Sequence, residues 1–203
     1  MSLDPTKTTP TKVPPPPEVE PITLRPANLA DAPALALIGA ATFLEAFTWM
    51  LPGSDIVAHC ARHHTTPAYE AYLARPDTRI TLATAGSFAG DESVVGYTLL
   101  SDPDLPTIDI HPSDIELKRI YLFSRFRGVP VMNHPGVRPA QALLDTSIAD
   151  AKALNRTRLL LGVNDGNQRA LHFYYRNGFV DAGTRTFQVG SLTCSDLILA
   201  KAL

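Results

Sequence analysis

The feature that most constrains this chain is the order of elements between residues 116 and 179. Residues 115–123 (IELKRIYLF) read as a strand and run into a Gly/Pro-rich loop. A helix follows over 139–154, where Ala140, Leu143, Leu144, Ile148 and Ala151 recur at helical spacing. Residues 158–163 read as a strand, 167–176 as a second helix, and a further strand starts at Phe179. A strand, a crossover helix and a second strand place the two strands parallel in one sheet.

The flanking segments predict antiparallel neighbours. Residues 79–84 (RITLAT) and 94–100 (VVGYTLL) read as strands joined by turn formers between Gly86 and Glu92, a hairpin signal. Residues 22–25 alternate as a short first strand. Asp31 stands where a helix cap is expected, and Pro33 is tolerated in the first turn of a helix reaching about Phe47. Two short helices are expected over 55–63 and 67–73, and strands over 179–188 and 193–200. The expected fold class is therefore α/β, a mixed sheet covered by helices on both faces.

Length and composition exclude several classes. A chain of 203 residues, 45% hydrophobic, can bury one sizeable core. Its formal net charge of −2, with basic residues scattered, predicts no nucleic-acid surface. No apolar run is read as approaching the ~20 residues that cross a bilayer, so no membrane span is expected. Residues 1–20, with Pro14 to Pro17 in succession, read as a disordered tail ahead of one domain over 21–203, with no secretory signal. Cys60 and Cys194 fit reduced thiols better than a disulfide framework, and a cytoplasmic location is expected.

Two units carry chemistry. In the first, the strand holding Glu116, Ile120, Tyr121 and Leu122 passes through Arg127-Gly128 towards a helix near Pro139. Backbone N–H groups at such a strand–loop–helix passage can bind phosphate oxygens, and Arg127 and Arg138 can add charge-assisted bonds. In the second (NQRALHFYYRNGF), Asn167 can cap the helix and Gly178 can end it in a left-handed conformation. Phe173 and Phe179 read as core. His59, Cys60, His63 and His64 look superficially like metal ligands, but no acidic partner stands at a diagnostic spacing and no metal is expected.

Taken together, ELKRIYLFSRFRG, AQALLDTSIADAKALNRTRLLLGV and NQRALHFYYRNGF resemble the GCN5-related N-acetyltransferase superfamily, over nearly all of the chain after the tail. The resemblance implies an acyl-CoA N-acyltransferase fold with splayed central strands. It implies acetyl-CoA as acyl donor and a primary amine of a small molecule or protein as acceptor, in a monomer or homodimer. Ile120, Tyr121 and Leu122 would line the cleft for the pantetheine arm. Arg127, Gly128, Arg138 and Ala140 fall on the pyrophosphate loop, and Asn167 and Tyr174 on the cofactor side.

Acetyl transfer develops an oxyanion and a departing thiolate. A strand N–H near Leu122 can stabilise the first, and the Tyr174 hydroxyl can protonate the second. The reading set against this for Tyr174 is a core tyrosine bonded to a backbone carbonyl. Glu116 matches a frequent general-base position, against a plain salt bridge with Lys118 or Arg119. Asp114, Tyr97 and His111 are weaker candidates, and His63 or His64 would line the acceptor entrance.

One stretch departs from the family pattern. The loop reads RGVPVMNHPGVRPA, with about eight extra residues (129–136), and Arg138 stands in the place of a glycine. Arg138 and Pro139 lack glycine's backbone freedom, and Pro139 has no N–H. Three accounts compete: the Arg138 guanidinium replaces the lost bonds, the loop bulges and binds CoA weakly, or the inserted stretch is an error in the sequence. The reading set against an active enzyme is a catalytically impaired module that binds CoA or another protein.

Overall fold

The computed structural model describes residues 19–86, 92–189 and 192–203. The tail up to residue 18 and the turn over 87–91 lie outside the described residues. Seven strands form one sheet in the order β1-β2-β3-β4-β5-β7-β6. They are β1 (Ile22–Pro26), β2 (Arg79–Gly86), β3 (Glu92–Ser101), β4 (Asp114–Leu122), β5 (Arg158–Asn164), β6 (Val180–Val189) and β7 (Leu192–Ala202). Every neighbouring pair is antiparallel except β4 and β5, which are parallel as their crossover requires.

Helices cover both faces. On one face α1 (Ala32–Phe47), α2 (Gly53–His63) and α3 (Thr66–Leu73) cover the sheet. There Ala32, Leu35 and Ile38 of α1 meet Ile80, Leu82, Tyr97 and Leu99. On the other face lie α4 (Pro139–Ala153) and α5 (Gln168–Arg176). Leu144 and Ala151 of α4, with Leu171 and Tyr174 of α5, pack on Ile115, Leu117, Leu159 and Leu161. Burying each such leucine contributes about 1.5–3 kcal/mol, so alternation along β4 and β5 commits both faces at once.

Two sequence expectations are corrected. Asp31 does not cap α1 with its side chain. Its carboxylate is drawn to Arg25 (2.8 Å) and to the Asn28 N–H (2.8 Å), and Asn28 caps the preceding turn Leu29–Asp31. The bidentate Arg25 pair and the Asn28 N–H together occupy the carboxylate. Second, the helical stretch Leu29–Phe47 is long and apolar enough, by length and composition, to cross a bilayer. It packs instead on the sheet, burying Leu35, Ile38, Thr42 and Phe43 while Leu37 stays exposed.

The extra residues of the loop before α4 have a place of their own. Ile22 N donates to Pro130 O (3.0 Å) and Met132 N donates to Ile22 O (2.8 Å). The Asn133 amide reads the Leu24 backbone twice, accepting from its N–H at 3.0 Å and donating to its carbonyl at 2.7 Å. Val131 is buried among Ile22, Leu24 and Leu143. The insertion therefore closes the free edge of β1, which would otherwise present unpaired backbone groups.

Candidate active site

The site begins with a fault in the sheet. The β3–β4 register shifts between Leu99↔Arg119 and Leu100↔Leu117, leaving Lys118 as an extra residue. Such a bulge reverses the alternation. Before it Ile115 and Leu117 face α4; beyond it Ile120 and Leu122 do. Glu116, Arg119 and Tyr121 consequently share the face covered by α1 and α3.

Beyond the bulge β4 and β5 part. Their pairing is confined to Asp114↔Arg158, Ile115↔Leu159 and Glu116↔Leu160, although β4 runs on to Leu122 and β5 to Asn164. The buried Asp114 holds the closed end, accepting from Arg158 Nε (2.9 Å) and from the His111 N–H (2.7 Å). Burial pushes the Asp114 carboxyl up, but Arg158 and the His111 N–H together offset it and hold it below the usual range. At the open end Phe123 N donates to Val95 O on β3. Antiparallel alternation then turns the Leu122 and Ile120 N–H groups away from β3, towards the opening.

Tyr174 approaches the opening from α5. Its ring is buried against Phe173 and Phe179, with centroids 5.4 and 5.5 Å away. The hydroxyl forms no hydrogen bond among the described residues, so the carbonyl partner of a core tyrosine is absent there. Burial, reinforced by Tyr121 nearby, raises its pKa well above the ordinary phenol value. Tyr175, one residue on, points to Asp181 (2.7 Å) at the surface. Asn167 caps α5 by accepting from the Ala170 N–H (3.1 Å), and Gly178 (φ 79°) ends it.

At the end of β4, Arg127, Gly128 and Arg138 are exposed and Ala140 is half-buried. Arg138 precedes α4 without a side-chain cap, and the first helical bond runs from Ala142 N to Arg138 O. The Ala140 and Gln141 N–H groups thus stay free in the first turn, with the positive end of the helix dipole behind them.

Glu116 is buried and its Oε2 is engaged twice, by Lys118 Nζ (2.6 Å) and by Asp104 N (2.8 Å). Its Oε1 accepts from no partner among the described residues. Of the salt bridges weighed for Glu116, the one formed is with Lys118.

The same face carries a polar chain that sequence reasoning saw only in fragments. His64 Nδ1 lies 3.0 Å from the Tyr69 hydroxyl, and that hydroxyl lies 2.8 Å from the Tyr97 hydroxyl. Gly39 of α1 makes room, because a Cβ there would collide with Tyr69 Oη and His64 Nδ1. Burial, with Arg119 beside it, lowers the His64 pKa to about 3, and burial lowers that of His59 to about 4. Burial also raises Tyr121 to about 12. His59 stacks on Phe43 (4.2 Å) and sits 4.6 Å from His63. Cys60 and Cys194 are free thiols in one apolar cluster, and no group of metal ligands occurs among the described residues.

A parallel β4–β5 pair splayed by a bulge, with a tyrosine and a free helix N-terminus at its mouth, defines an acyl-CoA N-acyltransferase fold. The chain is 30% identical over 175 residues to an uncharacterized N-acetyltransferase of Mycobacterium bovis, covering 86% of this chain and 99% of that one. It superposes on the PaiA N-acetyltransferase of Thermoplasma acidophilum, solved with coenzyme A, at a TM-score of 0.63 and 17% identity, over 90% of this chain and 99% of the other. A GCN5-related N-acetyltransferase from Rhodopseudomonas palustris superposes at a TM-score of 0.62 and 17% identity, over 93% and 100% of the chains. No family model matches. The chain belongs to the GCN5-related N-acetyltransferase superfamily.

Proposed function

We propose that residues 21–203 form one acetyl-CoA-dependent N-acetyltransferase domain, cytoplasmic, transferring acetyl to a primary amine by direct attack in a ternary complex. The observation that carries this reading is the β4–β5 opening with an unpartnered Tyr174 hydroxyl beside it. The coenzyme A bound by the Thermoplasma protein of like fold supports the choice of donor.

Each residue then has a task. Ile120, Tyr121 and Leu122 offer strand backbone to the pantetheine arm, and the Leu122 N–H faces the carbonyl oxygen that becomes the oxyanion. Arg127 and Gly128, with Arg138 and the free N–H of Ala140, hold the pyrophosphate at the start of α4. The Arg138 guanidinium takes over bonds that the N–H-less Pro139 cannot make. Asn167 sets the N-terminal end of α5, so that Tyr174 points at the sulfur. Glu116 Oε1 takes the proton from the incoming ammonium, directly or through one water. The amine then attacks the thioester carbon, the C–S bond breaks as Tyr174 donates its proton to the leaving thiolate, and the proton shed by the new amide nitrogen returns to the Tyr174 phenolate through water.

The presence of Arg138 and Pro139 in a glycine's place favours one other reading, a catalytically impaired module that binds CoA or a protein. Calorimetric titration with acetyl-CoA, followed by thiol release across an amine panel, separates the two. Binding with amine-dependent release supports the enzyme. Binding without release across the panel favours the module, and no binding overturns the acetyl-CoA reading altogether. Arg127→Ala and Arg138→Ala each weaken acetyl-CoA binding by about tenfold, the loss of one charge-assisted bond.

A further inference from the structure

Several basic side chains near the sheet are matched to acids, and one with a buried, unpartnered nitrogen is not. Lys118 takes Glu116, Arg158 takes Asp114 and Arg185 takes Asp196. Arg119, next to Lys118 on β4, forms no ion pair among the described residues, and its buried Nη1 has no hydrogen-bond partner. Its guanidinium lies over the rings of Tyr69 (5.4 Å) and Tyr72 (5.8 Å). The Tyr69 hydroxyl accepts from the guanidinium and the ring faces stabilise the cation, but Nη1 and the charge stay unanswered. A buried charge without a counter-ion costs several kcal/mol, so the site is poised for an anion.

The surroundings state what kind of anion. His64 is held neutral by burial, and Tyr69, Tyr97 and Tyr121 are neutral phenols whose pKa values burial raises further. The site therefore presents one net positive charge, with hydroxyl groups as additional donors. That matches a singly charged carboxylate better than a doubly charged phosphate. Arg119 shares its strand face with Tyr121, about 7 Å further along towards the opening, a span of amino-acid size.

We propose that Arg119 binds the carboxylate of the acceptor, so that the preferred acceptor is a small amine carrying one carboxylate. This rests on the acetyltransferase reading above and specifies its substrate class. Arg119 acts as a specificity residue and takes no part in the chemical step.

The test compares matched acceptors, L-phenylalanine and 4-aminobutyrate against their primary amides, with wild-type protein and the Arg119→Gln and Arg119→Lys variants. The wild type is expected to favour the acids, and Arg119→Gln to lower their kcat/KM by about 10- to 100-fold through KM, the loss of a charged hydrogen bond. Amide turnover and the acetyl-CoA dissociation constant stay within about twofold, because neither contacts Arg119. Arg119→Lys, which keeps the charge, retains the acid preference. Equal use of acids and amides by the wild type, or an equal loss for both in Arg119→Gln, overturns the proposal. Thermal stabilisation by the same acids without donor reads the site independently of turnover. If the wild type fails to bind acetyl-CoA but is stabilised by acids and not amides, and Arg119→Gln abolishes this, the enzyme reading falls and the anion site stands. Absence of that stabilisation in the same protein overturns both.

Discussion

Lys118 Nζ lies 2.6 Å from Glu116 Oε2, and the residue that supplies this cation is the one the β4 bulge inserts. The irregularity that opens the sheet thus also delivers the counter-charge for the buried carboxylate beside the opening. Lys118→Met leaves that carboxylate uncompensated and lowers stability by about 3 kcal/mol, read from the urea midpoint. Adding Glu116→Gln restores most of the loss, because the pair rather than either charge is what burial tolerates. Glu116→Gln alone lowers kcat/KM by about a hundredfold while acetyl-CoA affinity holds. An unchanged rate removes Glu116 from the base role.

Tyr174→Phe deletes one hydroxyl that forms no hydrogen bond among the described residues. Stability is therefore expected to change by less than about 0.5 kcal/mol. If the hydroxyl protonates the thiolate, kcat falls by about a hundredfold with little change in acetyl-CoA affinity. Full activity in the variant assigns the proton to another donor.

His64 makes stability depend on pH in a definite direction. Burial, aided by the Arg119 charge, brings its pKa from the ordinary value of 6.5 to about 3. Between those values the unfolded chain binds a proton that the folded chain does not. Its contribution is fully present above pH 6.5 and declines as pH falls towards 3. The slope from this group is at most about 1.4 kcal/mol per pH unit. His64→Gln should flatten the difference between urea midpoints measured at neutral and mildly acidic pH, and an unchanged difference would refute the assignment.

Asn133→Ala tests whether the loop insertion is a built part of the fold. It removes both bonds from the Asn133 side chain to the Leu24 backbone and is expected to cost about 1–2 kcal/mol. Amide exchange of Leu24 should quicken in the variant. Unaltered protection would mean that the insertion contributes nothing to holding β1.

The sequence by itself determined the order and types of elements, because each carries its own local signal. Alternation marks the strands, three-and-four spacing marks α4, and Asn167 and Gly178 bracket α5 where caps belong. Glu116, Arg127 and Tyr174 could be singled out for the same reason, each standing in a short contiguous stretch, and their roles are proposals. Asp31 holds the N-cap position of α1 as its place in the chain suggests, but its side chain goes to Arg25, which reaches it only once β1 and α1 are packed.

What the tertiary structure decided lies between segments distant in the chain. Which base neutralises Glu116 depended on a register shift between β3 and β4, invisible in either strand alone. The insertion looked like a defect in a phosphate loop until the edge of β1, over a hundred residues earlier, was seen to accept it. The unpaired guanidinium of Arg119 arose in the same way. Charge pairing is a property of three-dimensional neighbours, and only the folded sheet brought Tyr69, Tyr97 and Arg119 together while Lys118 took the Glu116 carboxylate.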